Sequence, residues 1–307
     1  MEEMKISVVM SCYNSERFLR QSIDSILMQS YREFEFIIWN DGSTDSTEEI
    51  IKSYHDERIR YFYAPNQGLG SALAAACKEA RGRYIARMDD DDIAMPNRLD
   101  KELAFLELHP DYILVSCLCE FITEEGKVIG QSIQPCTDRA LKRRCNILHP
   151  GAMFCKDAYF KAGGYLDIRT GQDTVLWGRM AKYGKYANLP ESLIQYRIQS
   201  NSISRKLRNE NYNTCLDALR KKIISDIVVD NHDLAFLNDI WKSNVEVSRR
   251  LPPCKPTSVV NKTQQEIVDI LSCVIGKRVA VKVLCSIKGE VIFQLSVSYT
   301  HLRAHET

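Results

Sequence analysis

Hydrophobic and polar positions alternate in blocks along the first hundred residues. Lys5 to Met10 (KISVVM) is a short β-branched run bounded by polar residues, the pattern of a buried strand. Ser15 to Gln29 follows with Phe18, Leu19, Ser22, Ile23, Ile26 and Leu27 on one face of a helix. Glu35 to Trp39 (EFIIW) reads as a second strand and runs into the turn cluster Asn40 to Asp45. Ser46 to Tyr54 reads as a helix, Arg58 to Tyr63 as a third strand, Ser71 to Ala80 as an alanine-rich helix and Arg83 to Met88 as a fourth strand. Four strand–helix alternations in succession predict βαβ units, hence an α/β fold with a mostly parallel sheet flanked by helices.

Beyond Met88 the pattern predicts a helix over Pro96 to Leu108 and a hairpin over 112–134 with its turn at Gly126. Helices are predicted at Asp138 to Arg144, Thr174 to Lys182, Arg205 to Lys222 and Gln264 to Val274, with a strand at Leu193 to Arg197. Pro252, Pro253 and Pro256 mark a linker, and Arg278 to Leu295 alternates as a hairpin around Lys288-Gly289-Glu290. The last residues, Val297 to Thr307 (VSYTHLRAHET), resemble the translation of a transposase adapter used in preparing sequencing libraries. They are set aside as adapter-derived. The expected organisation is a domain over 1–204, a truncated helical and hairpin appendage over 205–296, and the tail 297–307.

Composition narrows the function classes. The 307 residues carry 41 Lys and Arg against 40 Asp and Glu, a net charge of +1, so no global field draws this chain to nucleic acid. The 11 cysteines include no CxxC pair, which leaves zinc ribbons and dithiol redox motifs without their spacing. Reduced thiols acting as small core residues imply a reducing cytoplasm. No run approaches the ~20 apolar residues of a membrane helix, and the N-terminus is too short in apolar residues for a signal peptide.

The polar motifs Cys12-Tyr13-Asn14, Asp41-Gly42-Ser43, Asn66-Gln67-Gly68 and Asp89 to Asp92 each follow a predicted strand. In open α/β sheets ligands bind beyond the carboxyl ends of the strands, so the topology gathers these motifs at one rim. Four consecutive aspartates repel one another unless a cation offsets them, and hard oxygen ligands suit Mg²⁺ or Mn²⁺ together with a nucleoside diphosphate. The alternative is a solvated acidic turn ahead of the helix at Pro96. Ser43 or Thr44 could cap the helix from Ser46 without any ligand, whereas Asp41 lies upstream of the cap. Tyr13 at the rim can stack a base; the alternative is that Tyr13-Asn14 is only a strand-to-helix turn. Asp173, in Gly171-Gln172-Asp173, is either a helix cap or a general base at the mouth of the site. His149 reads as a structural histidine.

The pieces SVVMSCYN, WNDGSTDST, NQGLG, GRYIARMDDDDIAMPNRL, LHPGAMF, GGY, GQDTVLWGRM, LPESLIQYR and NSIS occur in order from Lys5 to about Ser204. Together they resemble a family 2 glycosyltransferase of the GT-A fold, bacterial in type. The resemblance implies inverting transfer of a sugar, from a UDP-sugar, to a hydroxyl acceptor in polysaccharide, lipopolysaccharide or other glycan synthesis, with Mn²⁺ or Mg²⁺. It places Tyr13 on the base, Asp41 hydrogen-bonded to it, and Asn14, Gly68 and Arg197 on the nucleotide-sugar. It places Asp89 at the ribose or the water shell of the metal, Asp91 on the metal, and Asp173 as the catalytic base, with Asp92 supporting the turn. The implied partners are a nucleotide-sugar and a glycan or lipid-linked acceptor, at the cytoplasmic face of the inner membrane. There the basic residues Arg205, Lys206, Arg208, Arg220, Lys221 and Lys222 could meet anionic lipid, though a solvated basic helix explains them as well.

Three positions depart from the family pattern: Gln172 before the base where Glu is common, Gln199 for the histidine of YR-x-H, and Ala74-Ala75-Ala76 in place of a donor contact. They keep a second reading open, a nucleotide-sugar binding module without turnover. A nucleotidyltransferase would need a glycine-rich basic phosphate loop after the first strand, and Cys12-Tyr13-Asn14 is not one.

Overall fold

A computed structural model describes residues 4–132, 138, 141, 147–168, 171–199, 279–285 and 291–297. The predicted helices Arg205 to Lys222 and Gln264 to Val274, the proline linker, the tail beyond Val297 and most of Asp138 to Arg144 lie outside the described residues.

The first half of the chain alternates as expected. Strands β1 (Ile6–Cys12), β2 (Phe34–Asn40), β3 (Ile59–Tyr63) and β4 (Tyr84–Met88) are joined by helices α1 (Leu19–Leu27), α2 (Thr47–Lys52) and α3 (Leu69–Lys78). They pair in parallel in the order β3-β2-β1-β4, with Cys12 beside Asn40 and Met10 beside Met88. β1 is buried along its whole length, as a parallel strand covered on both faces must be. Its residues divide by period two. Val8, Met10 and Cys12 face a core shared with Leu19, Ile23 and Ile26 of α1 and with Leu99 and Leu103 of the next helix. Val9, with Ile37 and Ile85, faces the opposite core, which contains Leu73 and Cys77 of α3.

The second half extends the same sheet. A two-residue strand β5 (Ile93–Ala94) leads into α4 (Arg98–Leu108), then β6 (Tyr112–Ile122) and β7 (Val128–Gln131), which form the predicted antiparallel hairpin. A 3₁₀ turn at His149–Gly151 precedes β8 (Met153–Cys155) and α5 (Lys156–Lys161), and α6 (Gln172–Met180) precedes the long strand β9 (Lys185–Arg197). The sheet continues β4-β8-β6-β9-β5, with β8 antiparallel to both β4 and β6, and β9 parallel to β6. Leu176, Trp177 and Met180 of α6 close the core over Ile85 and Phe154. A mixed α/β sheet with helices on both faces is therefore the fold.

The hairpin β10 (Val279–Cys285) and β11 (Val291–Val297) belongs to a separate unit and pairs antiparallel. It matches the predicted hairpin and runs to Val297, the first residue assigned to the adapter-like tail, which pairs with Val279. Cys12, Cys77, Cys117 and Cys119 are buried free thiols, used as the sequence suggested.

Candidate active site

The rim is built by two loops stitched to one another. Asn14, with φ of 52°, donates its main-chain N–H to Ser43 Oγ (3.0 Å), and its side-chain Oδ1 accepts from Thr44 N (2.8 Å). Ser15 N donates to Thr47 Oγ1 at 2.8 Å. Asp45, not Ser43 or Thr44, serves the start of α2: its Oδ1 accepts from Thr47 N (3.0 Å) and its Oδ2 from Glu16 N (3.1 Å). Asn14 thus joins the loop after β1 to the loop after β2, and Tyr13 beside it is 50% exposed, open for stacking.

A third loop is anchored by Asp41. This carboxylate is buried, and its two oxygens accept from Gln67 N and Gly68 N, both at 2.9 Å. Gly68 is at the start of α3. Close approach of the loops is possible because Gly42 has φ of 76°, and a Cβ there would lie 2.6 Å from Asn66 N.

The aspartates form the sharp turn between β4 and β5. Oxygens of Asp89, Asp91 and Asp92 all lie within 4.8 Å of one another. Asp92 belongs with the pair that the sequence singled out: it is buried, its Oδ1 accepts from Arg197 N (2.8 Å), and its Oδ2 has no partner among the described residues. Asp90 points elsewhere, accepting from Ser15 Oγ. Burial, then the charges of Asp90 and Asp89, push the Asp91 carboxyl up to about 8. Burial and the charge of Asp91 push Asp92 well above the usual carboxylate range. An all-oxygen donor set with one unpartnered buried oxygen and this much mutual repulsion fits a hard divalent cation.

Surrounding elements hold this turn. Ser22 Oγ of α1 donates to Asp92 O (2.7 Å), and Ala94 N donates to Ser25 Oγ (3.0 Å). Arg197 lies behind it, with Nε on Asp91 O (2.8 Å), Nη1 on Glu124 O (2.9 Å), Nη2 on Gln21 Oε1 (2.7 Å) and its guanidinium 4.3 Å over the Phe18 ring. Arg197 therefore braces the aspartates through their backbone. Gln199 donates its amide N–H to Asp91 Oδ2, so the residue standing for the family histidine does reach the acidic centre. Arg87, the only charged residue of β4, is buried and donates through Nη2 to Asp89 Oδ1. A lone charge within a buried apolar strand was the sequence signal for it.

Asp173 is the second residue of α6. The capping position belongs to Gly171, whose φ is 71°. Asp173 is thus not the N-cap but an acidic residue of the first turn, where a carboxylate also suits the helix dipole. Its charge acts on Tyr165, which also feels Arg87. Tyr165 OH lies 2.8 Å from His149 Nε2. Burial and Arg87 hold His149 well below its usual pKa, so it stays neutral as a structural partner of Tyr165. Arg179 fixes the preceding glycine turn by donating to Ala162 O (2.6 Å) and Gly164 O. Gln172, immediately before Asp173, is buried, and its Oε1 has no hydrogen-bond partner among the described residues.

The sequence model described as "Glycosyl transferase family 2" matches residues 7–162, which carry the first-strand, Asp41 and aspartate motifs. The chain belongs to glycosyl transferase family 2. A relative bearing the glycosyltransferase name EpsE, from Bacillus subtilis (strain 168), is 36% identical over 212 residues, covering 66% of this chain and 76% of its own. Among solved structures, S. aureus TarS 1-349 in complex with UDP-GlcNAc superposes with a TM-score of 0.60 at 16% identity, over 73% of this chain and 71% of that 1-349 chain. The mannosyltransferase PcManGT from Pyrobaculum calidifontis, in complex with GDP-Man and Mn²⁺, superposes with a TM-score of 0.55 at 14% identity, over 86% and 80%. At these identities the two structures share the fold, and that fold is GT-A as expected. Of the two glutamines that depart from the pattern expected from the sequence, Gln199 reaches Asp91, and Gln172 precedes Asp173 in the chain.

Proposed function

We propose that this chain transfers a hexose from a nucleotide-sugar, a UDP-sugar, to a hydroxyl acceptor with inversion and with the help of Mn²⁺ or Mg²⁺. The observation that carries the reading is the trio Asp89, Asp91 and Asp92 within 4.8 Å at the end of β4. Asp91 and Asp92 would ligate the cation, with Asp89 at its water shell or the ribose. When bound, such a cation supplies charge neutralisation to the leaving diphosphate. Tyr13 would stack the base. Asp41 would bond to the base while it holds Gly68 at the mouth of α3. Arg197 and Asn14 serve the donor by fixing the loops around it. Asp173 would take the proton of the acceptor hydroxyl as the oxygen attacks the anomeric carbon from the opposite face. The carbon–oxygen bond to the diphosphate breaks through an oxocarbenium-like transition state.

TarS holds UDP-GlcNAc and PcManGT holds GDP-Man with Mn²⁺, which supports a hexosyl nucleotide donor and a divalent ion. The acceptor is a glycan or lipid-linked sugar of the cell envelope, met in the cytoplasm or at the inner membrane face. Among the described residues no helix is long and apolar enough to cross a membrane. The transferase domain is 1–204, with 205–296 an accessory region and 297–307 adapter-derived. Thermal melting against a panel of nucleotide-sugars, with and without Mn²⁺, tests the reading, because a true donor raises Tm by mass action. No stabilisation by any member would overturn it. A second reading, binding without turnover, is favoured by the Gln199 amide standing on Asp91. Release of UDP in the presence of acceptor extracts separates the two.

A further inference from the structure

Arg87 is 1% exposed and cannot swing away. Its N–H donates to Ala152 O (2.8 Å), and its C=O accepts from Arg98 Nη2 (2.8 Å), itself part of a buried pair with Glu102. Nη2 donates to Asp89, while the buried Nε and Nη1 have no acceptor among the described residues. Arg197, the other arginine at this turn, distributes its fork over Asp91 O, Thr123 O, Glu124 O and Gln21. A guanidinium retained only as a scaffold would be satisfied in that way, because unpaired buried N–H groups destabilise the fold. What it uniquely brings is a fixed positive charge in contact with one member of the acidic trio.

Resting on the metal-dependent reading above, we infer that Arg87 is a positioning residue that acts through Asp89 as the resident counter-cation of the aspartate turn. It holds Asp89 when no divalent ion is bound. It competes with the water shell of that ion for Asp89 and repels the ion itself. Tight cation binding therefore depends on arrival of the anionic diphosphate, whose negative charge offsets Arg87. The two ligands then enter the site as a coupled pair, and neither saturates it alone. At a separation of several ångströms and an effective dielectric near 20, repulsion between a guanidinium and a divalent ion is worth at least about tenfold in affinity.

The test is a Mn²⁺ titration of the full chain by electron paramagnetic resonance, alone and with UDP. Wild type is expected to bind Mn²⁺ about tenfold or more tighter with UDP than without. Arg87→Met should tighten binding of Mn²⁺ alone by about tenfold or more and shrink the gain from UDP, whereas Arg87→Lys, which keeps the charge, should stay within about threefold of wild type. A scaffold role predicts the reverse, weaker Mn²⁺ binding in Arg87→Met, and that result or an unchanged affinity would overturn the inference. Should Arg87→Met not fold, the paired variant Arg87→Met/Asp89→Asn removes both charges together. Its affinity for Mn²⁺ alone should match wild type within about threefold, and a loss of about tenfold would overturn the inference. Wild type that takes up no Mn²⁺ even with UDP would instead overturn the metal-dependent reading beneath it.

Discussion

Asp41 and Gly68 are tied across 27 residues by a hydrogen bond of 2.9 Å from the glycine N–H to the carboxylate Oδ2, while the other oxygen takes Gln67 N. A strand-end carboxylate thereby fixes the start of α3, so one residue that would read the base also builds the wall beside it.

Asp41→Asn tests this double duty. Asparagine offers one acceptor oxygen where two N–H donors converge, and its amide would face the other donor. Loss of a charge-assisted bond destabilises by about 1.5–3 kcal/mol. A fall in Tm of roughly 3–10 °C is expected, together with weaker UDP binding by calorimetry. An unchanged Tm would show that the loop stands without Asp41.

Glu35→Gln probes the far end of the sheet, away from chemistry. The buried Glu35 carboxylate accepts from Ser7 Oγ, Arg81 N and Arg60 Nη1, each at 2.6 Å. Burial pushes its pKa up, but these bonds and the Arg60 charge outweigh it and the net shift is downward. A depressed carboxyl contributes stability that is complete above its unfolded value of about 4.3 and is lost as pH falls through the folded value. The variant should be less stable than wild type at pH 7 by about 1–3 kcal/mol. That gap should close as the pH falls below about 4. Urea melts at pH 7 and pH 3.5 measure it, and a gap independent of pH would contradict the assigned charge.

Asp91→Ala should abolish metal-dependent nucleotide binding while leaving the fold intact, because Asp91 is pushed up by its neighbours and its removal relieves repulsion. Calorimetric titration of UDP with Mn²⁺ is the measurement, and EDTA treatment of wild type should reproduce the loss. Equal affinity in variant and wild type would remove Asp91 from the metal site.

These residues differ in how legible they were. Runs such as Ile6 to Met10 and Glu35 to Trp39 are long enough to read as strands, and the rim follows from their order. β8 has three residues and β5 two, too few for any period, and both pair with partners distant in sequence. The N-terminal half of β9 was hidden by Pro190-Glu191. The register against β6 passes from Cys117–Leu189 to Leu118–Ser192, so the two residues bulge out of the ladder. The aspartate run was visible, yet membership of the trio depends on side-chain direction around a tight turn, which sends Asp90 to Ser15 and Asp92 inward. Likewise the cap of α6 falls to Gly171 because its left-handed backbone turns the chain into the helix, a geometry that composition alone does not reveal.

Asp173→Asn is the decisive variant for catalysis. Asparagine is nearly isosteric with aspartate, and Gly171 holds the cap, so α6 should form unchanged and Tm should stay within about 2 °C. The amide cannot accept a proton as a base. Removing a general base costs ~10²–10⁴ in rate. The expected result is that loss in kcat, with affinity for the nucleotide-sugar unchanged, since Asp173 lies on α6 and the nucleotide contacts proposed above come from the loops after β1, β2 and β4. The separation of kcat from affinity is what distinguishes a base from a residue that merely shapes the pocket. His149 is a poor substitute: it is held neutral, with its Nε2 engaged by Tyr165 OH. Turnover of Asp173→Asn at the wild-type rate would therefore remove the base from α6, and retention of that rate in His149→Gln as well would exclude both side chains from proton transfer.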